Sequence, residues 1–147
     1  MREQALTFSG ILLLANRIQT TLDQALPELT LKQWLCLVII ASEGKVDSMA
    51  EVVDKLGTSH QNAAKLVRAL EAKGFVEFGP SSDKRARSVA LTDHAREYLR
   101  ANNDRGDGIL TQLFDGIDPA DTAACLRVLN ALSLNLGCSS IYPEGES

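Results

Sequence analysis

Two clusters of side chains in this chain have the chemistry of recognition rather than of bond making. The first lies between Ser59 and Arg68. Removing the helix-periodic apolar positions Ala63, Leu66, Val67 and Leu70 leaves Ser59, His60, Gln61, Asn62, Lys65 and Arg68 facing outward. Gln and Asn can bond an adenine edge in bidentate fashion, and Lys and Arg a guanine edge. A serine at a helix start, with the free N–H groups behind it, can hold a phosphate. The second cluster is Lys84, Arg85 and Arg87 in the polar stretch Gly79–Arg87. Long cationic side chains on a loop can enter a narrow minor groove or clamp phosphate. Asp83, two residues before Arg85, has the spacing to pair with it and shape the loop. Each cluster also has a plain reading. The first can be a solvated helix face, and the second a charged hairpin tip that protects a sheet edge. For His60 a surface role and a base or phosphate contact remain equally open.

Catalysis finds no comparable cluster. His60 and His94 stand near no plausible nucleophile or acid, and no phosphate loop, metal-ligand pair or nucleophile elbow is present. The three cysteines, Cys36, Cys125 and Cys138, are too few and too scattered for a disulfide framework or a zinc site. No enzyme activity, cofactor or metal is expected. Cys36 lies in the most apolar segment, where burial makes a thiol inert. Cys125, between Ala124 and Leu126, reads as core or dimer packing. Cys138 follows the helix-ending Gly137 and is expected at the surface, where the negative helix C-terminus disfavours a thiolate.

The elements that must position these groups can be read in order. Leu6 to Ala25 carries apolar residues at intervals of three and four, and Pro27 ends that helix. Thr30 opens a second helix, with Gln33 completing a capping box. Trp34 to Ala41 is apolar nearly all round and marks a buried segment, with Trp34 read as a core residue. Gly44 caps it. A third helix starts at Asp47 or Ser48, with Glu51 in the box position and Met49, Ala50, Val53 and Leu56 inward. Gly57 stops it, and Thr58 begins a fourth that ends at Gly74. Two short helices joined by a glycine turn make a helix-turn-helix. The period then changes from 3.6 to 2, and residues 75–78 and 88–91 read as a strand pair around the basic loop. Asp93 caps a fifth helix to about Phe114, weakened at Gly106 and Gly108. Asp118–Pro119 starts a sixth that ends at Leu136, with more apolar residues than one packing face needs.

Composition sets the outer bounds. The chain has 147 residues, 45% of them hydrophobic, enough for a single domain with a real core. The longest apolar run, Trp34 to Ala41, is too short to span a membrane, and the N-terminal apolar run lacks a cleavage site, so a cytoplasmic protein without membrane contact is expected. The net charge of −4 argues against nucleic acid, but its distribution does not. Thr58 to Ser88 holds six basic and three acidic residues, which leaves −7 on the rest of the chain.

The stretch from Leu29 to Leu99 resembles the MarR family of winged-helix transcriptional regulators. The likeness is carried by Leu29-Thr30-x-x-Gln33-Trp34, by Leu66-Val67-x-x-Leu70-Glu71-x-Lys73-Gly74-Phe75-Val76, and most specifically by Asp83-x-Arg85-x-x-x-Val89-x-Leu91-Thr92 in the wing. Asn16-Arg17 in the first helix adds to it. His94 stands where the family often has Gly. The resemblance implies a mainly α fold with a small β-hairpin wing. Residues 30–92 form the winged helix-turn-helix, 1–29 and 93–138 the dimerisation helices, and 139–147 a flexible tail. It further implies a homodimeric repressor on a near-palindromic operator in double-stranded DNA, released when a small effector enters a crevice between dimer region and winged domain; a place beside that crevice is the alternative for Trp34 to the favoured one in the core. Ser59, His60, Gln61, Asn62, Lys65, Arg68, Lys84, Arg85 and Arg87 are the DNA-binding candidates. Two alternatives stay open. One is a winged-helix protein-interaction module with the basic wing on an acidic partner, and the other a thiol-based redox-responsive regulator.

Overall fold

Side-chain caps set the helix starts. The computed structural model describes residues 1–141. Its elements are α1 (Arg2–Leu22), α2 (Leu31–Glu43), β1 (Lys45–Val46), α3 (Met49–Leu56), α4 (His60–Ala72), β2 (Val76–Pro80), β3 (Arg87–Leu91), α5 (Asp93–Leu113) and α6 (Pro119–Asn135). Thr30 and Gln33 form the full reciprocal box at α2. Ser48, Ser59 and Asp118 cap α3, α4 and α6 through their side-chain oxygens.

The helices depart from the sequence reading in four places. Ser59, not Thr58, caps α4, because its Oγ is the one that accepts from the Asn62 N–H. Thr92, not Asp93, caps α5: its Oγ1 accepts from the Ala95 N–H and donates to the Gly74 carbonyl, so a tertiary contact fixes the cap. Asp93 sits in the first turn and pairs with Arg96 at 2.8 Å. Helix α5 runs unbroken through Gly106 and Gly108. In α3, Val52 is buried and Ala50 exposed, because the stripe facing the core is Met49, Val52, Val53 and Leu56.

The sheet has three strands in the order β1-β3-β2, antiparallel throughout. Strand β1 is two residues long and pairs Val46 with Val89, which delivers Val46 to the core. The β2–β3 ladder ends at Pro80 opposite Arg87, which leaves residues 81–86 as the wing loop.

One core serves α2, α3, α4, the sheet and the start of α5. Leu37, Ile40, Val52, Val67, Leu70, Phe75 and Val89 are fully enclosed in it. Tyr98 meets Phe75 edge-on with ring centroids 5.0 Å apart. Its hydroxyl donates to the Pro27 carbonyl at 2.5 Å, and burial pushes its pKa up. The neighbouring Glu28 is held at φ +64°, a backbone conformation that costs a non-glycine residue energy. The Lys73 ammonium steadies that turn by donating to the Glu28 carbonyl at 2.6 Å and to Gln33 Oε1 at 2.8 Å. Lys55 pins α3 to α2 through Glu43 at 2.8 Å.

The terminal helices behave differently. Neither α1 nor α6 contains a buried residue. Beyond α6, Ser139 Oγ donates to Asp54 Oδ2 on α3 at 2.8 Å, and the Ile141 N–H donates to Asn130 Oδ1 at 3.0 Å. Residues 139–141 of the expected tail are therefore tied down, and 142–147 lie outside the described residues.

Candidate nucleic-acid interface

Helix α4 divides cleanly into two faces. Ala63, Val67 and Leu70 are buried, and the opposite face carries His60, Gln61, Lys65 and Arg68, all exposed. The buried stripe fixes the rotation of the helix, so core packing aims the polar side chains at solvent. Ser59 Oγ accepts from the Asn62 N–H at 3.2 Å, and Asn62 Nδ2 donates to Thr58 Oγ1 at 3.3 Å. Asn62 thus keeps its carbonyl oxygen and one N–H for another partner.

The wing meets this ridge across a groove of about 440 Å³. His60 and Arg68 from α4, the α3 start at Ser48 and Met49, and Arg85 and Arg87 from the wing line it. The fold thereby brings four of the nine predicted residues onto one concave surface. Asn62 and Lys65 look the other way, into a second concavity of about 550 Å³ bounded by α1 and α2. Ser59, Gln61 and Lys84 line neither groove and are exposed. Helix α4 is thus a ridge between two hollows.

Among the described residues, no carboxylate lies within ion-pair distance of Lys65, Arg68, Lys84, Arg85 or Arg87. The Arg87 guanidinium instead sits 4.2 Å from the centre of the Phe78 ring, a stacked arrangement that orders it without neutralising it. Asp83 does not pair with the Arg85 guanidinium as its spacing suggests. Its Oδ1 accepts from the Arg85 backbone N–H at 2.9 Å, so it shapes the turn and does not engage the guanidinium.

A third cavity, of about 430 Å³, opens between α1, α2 and α5. Ile18, Leu22, Val38, Leu99 and Ile109 make it apolar, and Asn102, Asn103 and Asp107 lie on its rim of α5. Trp34 is half-buried and forms part of this wall, so it is not enclosed in the core as its sequence context suggests. Sequence reasoning assigned no residue here, because the lining comes from three helices and follows no motif.

The cysteines separate by burial. Cys36 is enclosed, and burial pushes its thiol up to about 11. Cys125 and Cys138 are exposed, which removes Cys125 from the protomer core. Among the described residues, no group of three or more His, Cys, Asp or Glu side chains could hold a metal ion, and no helix is long and apolar enough to cross a membrane.

Comparison with known proteins agrees with this fold. The family model described as MarR family matches residues 28–86. An uncharacterized HTH-type transcriptional regulator of Bacillus subtilis (strain 168), YfiV, is 26% identical over 113 residues, which cover 76% of this chain and 67% of the relative. Among solved structures, the MarR family transcriptional regulator Sco3205 of Streptomyces coelicolor, in complex with DNA, superposes with a TM-score of 0.78 at 22% identity. The match covers 92% of this chain and 89% of that one. Bordetella bronchiseptica BpsR, whose DNA binding is regulated by 6-hydroxynicotinic acid, gives 0.71 at 23% identity over 84% of this chain and 91% of that one.

Proposed function

We propose that this chain, whose residues 28–86 match the family model described as MarR family, is a homodimeric, sequence-specific DNA-binding regulator of transcription. The observation that carries this reading is the α4 ridge beside the wing. Lys65, Arg68 and the exposed amide of Gln61 stand on one element, and Arg68 with His60 faces Arg85 and Arg87 across a shared groove. In this role α4 enters the major groove, where Gln61 and Asn62 read base edges and Lys65 and Arg68 read guanine or clamp phosphate. His60 and Ser59 contact the backbone near the helix start, and Lys84, Arg85 and Arg87 reach the adjacent phosphates or minor groove. Sco3205, a structural neighbour held in a DNA complex, supports the assignment.

The dimer is supported by apolar surface. Phe8, Leu12, Leu13 and Leu14 on α1, and Val128, Leu132, Leu134 and Leu136 at α6, are exposed in the single protomer. Apolar area on that scale marks an interface. A two-fold partner buries the same patch on both copies and presents two winged heads to a near-palindrome. Such a regulator acts in the cytoplasm as a repressor. The apolar cavity beside Trp34 is the place for a releasing effector, since its volume suits a small molecule. BpsR, whose DNA binding is regulated by 6-hydroxynicotinic acid, supports control by a small molecule.

Fluorescence anisotropy against duplex DNA from upstream of the protein's own gene, with random duplex as competitor and across a salt series, tests the reading. Competitor-resistant binding that weakens steeply with salt is the expected result. Binding to an acidic protein partner in preference to any duplex would favour an interaction module instead.

A further inference from the structure

The wing is joined to the helix-turn-helix by a hydrogen-bonded path centred on Asp47, between β1 and α3. The Asp47 N–H donates to Glu51 Oε2 at 3.3 Å. Its carbonyl accepts from Ser81 Oγ at 2.7 Å, and its Oδ2 accepts from Ser82 Oγ at 2.6 Å. Its other carboxylate oxygen lies 3.9 Å from Lys45 Nζ. The path continues into the loop: Ser81 Oγ accepts from the Asp83 N–H at 3.2 Å, and Asp83 Oδ1 accepts from the Arg85 N–H at 2.9 Å. An unbroken chain of bonds thus runs from α3 through the Asp47 backbone and Ser81 to the backbone of Arg85, and the Asp47 carboxylate adds a second tie to the loop at Ser82.

The hairpin orders its own tip only locally, through the Ala86 N–H to the Asp83 carbonyl at 3.1 Å and the Asp83 contacts above. Its ladder stops at Pro80 opposite Arg87, and proline has no N–H to extend it. Residues 81–86 would otherwise sample many conformations, and ordering them at the moment of binding would subtract from affinity. Asp47 gives the loop a fixed point outside the hairpin. That point is one residue from Ser48, the cap of α3, so the wing and the helix-turn-helix are held in one frame.

We propose that Asp47 is a positioning residue for DNA recognition, which holds the wing against α3 so that Arg85 meets the duplex already placed. This rests on the DNA-binding reading above. Charge alone predicts the opposite effect. A carboxylate close to a phosphate-facing surface repels the ligand, so its removal by itself should tighten binding. Positioning predicts that its removal weakens binding. The sign of one substitution therefore separates the two.

The test uses Asp47→Ala, Asp47→Asn, Ser81→Ala, Ser82→Ala and Arg85→Ala in the full chain, titrated with the own-gene upstream duplex and with random duplex. Amide hydrogen exchange at Arg85 is followed in parallel. Ser81→Ala breaks the path to Arg85 and should weaken binding by about tenfold and speed exchange there; Asp47→Ala and Ser82→Ala remove the second tie and should each act in the same direction by a smaller factor. Asp47→Asn keeps an oxygen acceptor for Ser82 and should restore most of the lost affinity. Asp47→Ala should cost less in the Arg85→Ala background than in the parent, because the two act through one contact. An Asp47→Ala variant that binds as tightly as the parent or tighter overturns the proposal, as does an equal loss in both backgrounds. A parent chain that binds no duplex overturns the DNA reading itself, and Asp47's role with it.

Discussion

The winged head and the terminal helices solve the burial problem in opposite ways. In the head, Leu37, Ile40, Val67, Leu70 and Phe75 are fully enclosed within one chain. In α1 and α6 nothing is enclosed, and Phe8 remains 64% exposed and Leu12 54% exposed. Both regions are rich in apolar residues, so composition does not distinguish them. The difference lies in what each element packs against. The head encloses its own core, whereas the terminal helices leave apolar surface uncovered, which in the proposed reading is half of an interface. The basic recognition surface sits on the head, and the acidic excess lies outside residues 58–88. A negatively charged protein can therefore present a positive face to phosphate.

The comparison breaks most visibly if the arms are made polar. Leu12→Asp with Val128→Asp places charge on surface that a single protomer leaves exposed. The head should stay folded while sedimentation shows monomers. Loss of bivalent attachment should then weaken operator binding by at least about a hundredfold. Retained dimers would show that the apolar arms are not the interface. Next in size, Leu37→Ala should destabilise the head by about 2–5 kcal/mol in urea unfolding, the usual cost of a cavity in a closed core. A much smaller loss would mean that the core is looser than its burial suggests.

Two substitutions on the basic face should act differently from one another. Gln61→Ala should relax preference at one base step by about 1–3 kcal/mol. Lys84→Ala should weaken all sequences alike and flatten the salt slope by about one unit. An unchanged slope would remove Lys84 from the DNA contact. The smallest expected effect concerns the thiols. Cys125 and Cys138 should react with a thiol reagent in the native protein, while Cys36 should wait for unfolding. The Cys36 pKa is raised on folding from 9.0 to about 11. The folded state therefore holds this proton more tightly, and the associated stability is present below pH 9 and fades as pH rises toward 11. If peroxide abolishes DNA binding in the parent but not in Cys138→Ser, redox control would have to be added to the account.

Local chemistry was legible in the sequence, and distant chemistry was not. The Thr30–Gln33 box, the Ser48 cap and the Asp118–Pro119 start each lie within four residues and were readable as spacing, whereas at α4 the cap fell on Ser59 rather than its neighbour Thr58. The outward face of α4 followed from its buried stripe alone. Strand β1 was missed because two residues carry no period, and it exists only because β3 is there to pair with. Ala50 was misjudged and Val52 overlooked because an eight-residue helix offers two plausible stripes until its neighbours choose one. The role of Asp47 was invisible for a similar reason, since Ser81 and Ser82 lie 34 and 35 residues away. Asp83 was found, but its partner is the Arg85 backbone rather than the guanidinium. Trp34 was placed in the core because its own helix is apolar all round; the cavity it borders is made by α1 and α5.

Hydroxyl-radical footprinting of the full chain on its own-gene upstream duplex tests the central claim most directly. Two symmetric protected patches, centred about one helical turn apart, are the predicted pattern for two α4 ridges in successive major grooves. Both patches should vanish in Lys65→Ala with Arg68→Ala. A single patch, or protection that survives loss of both cations, would contradict the account.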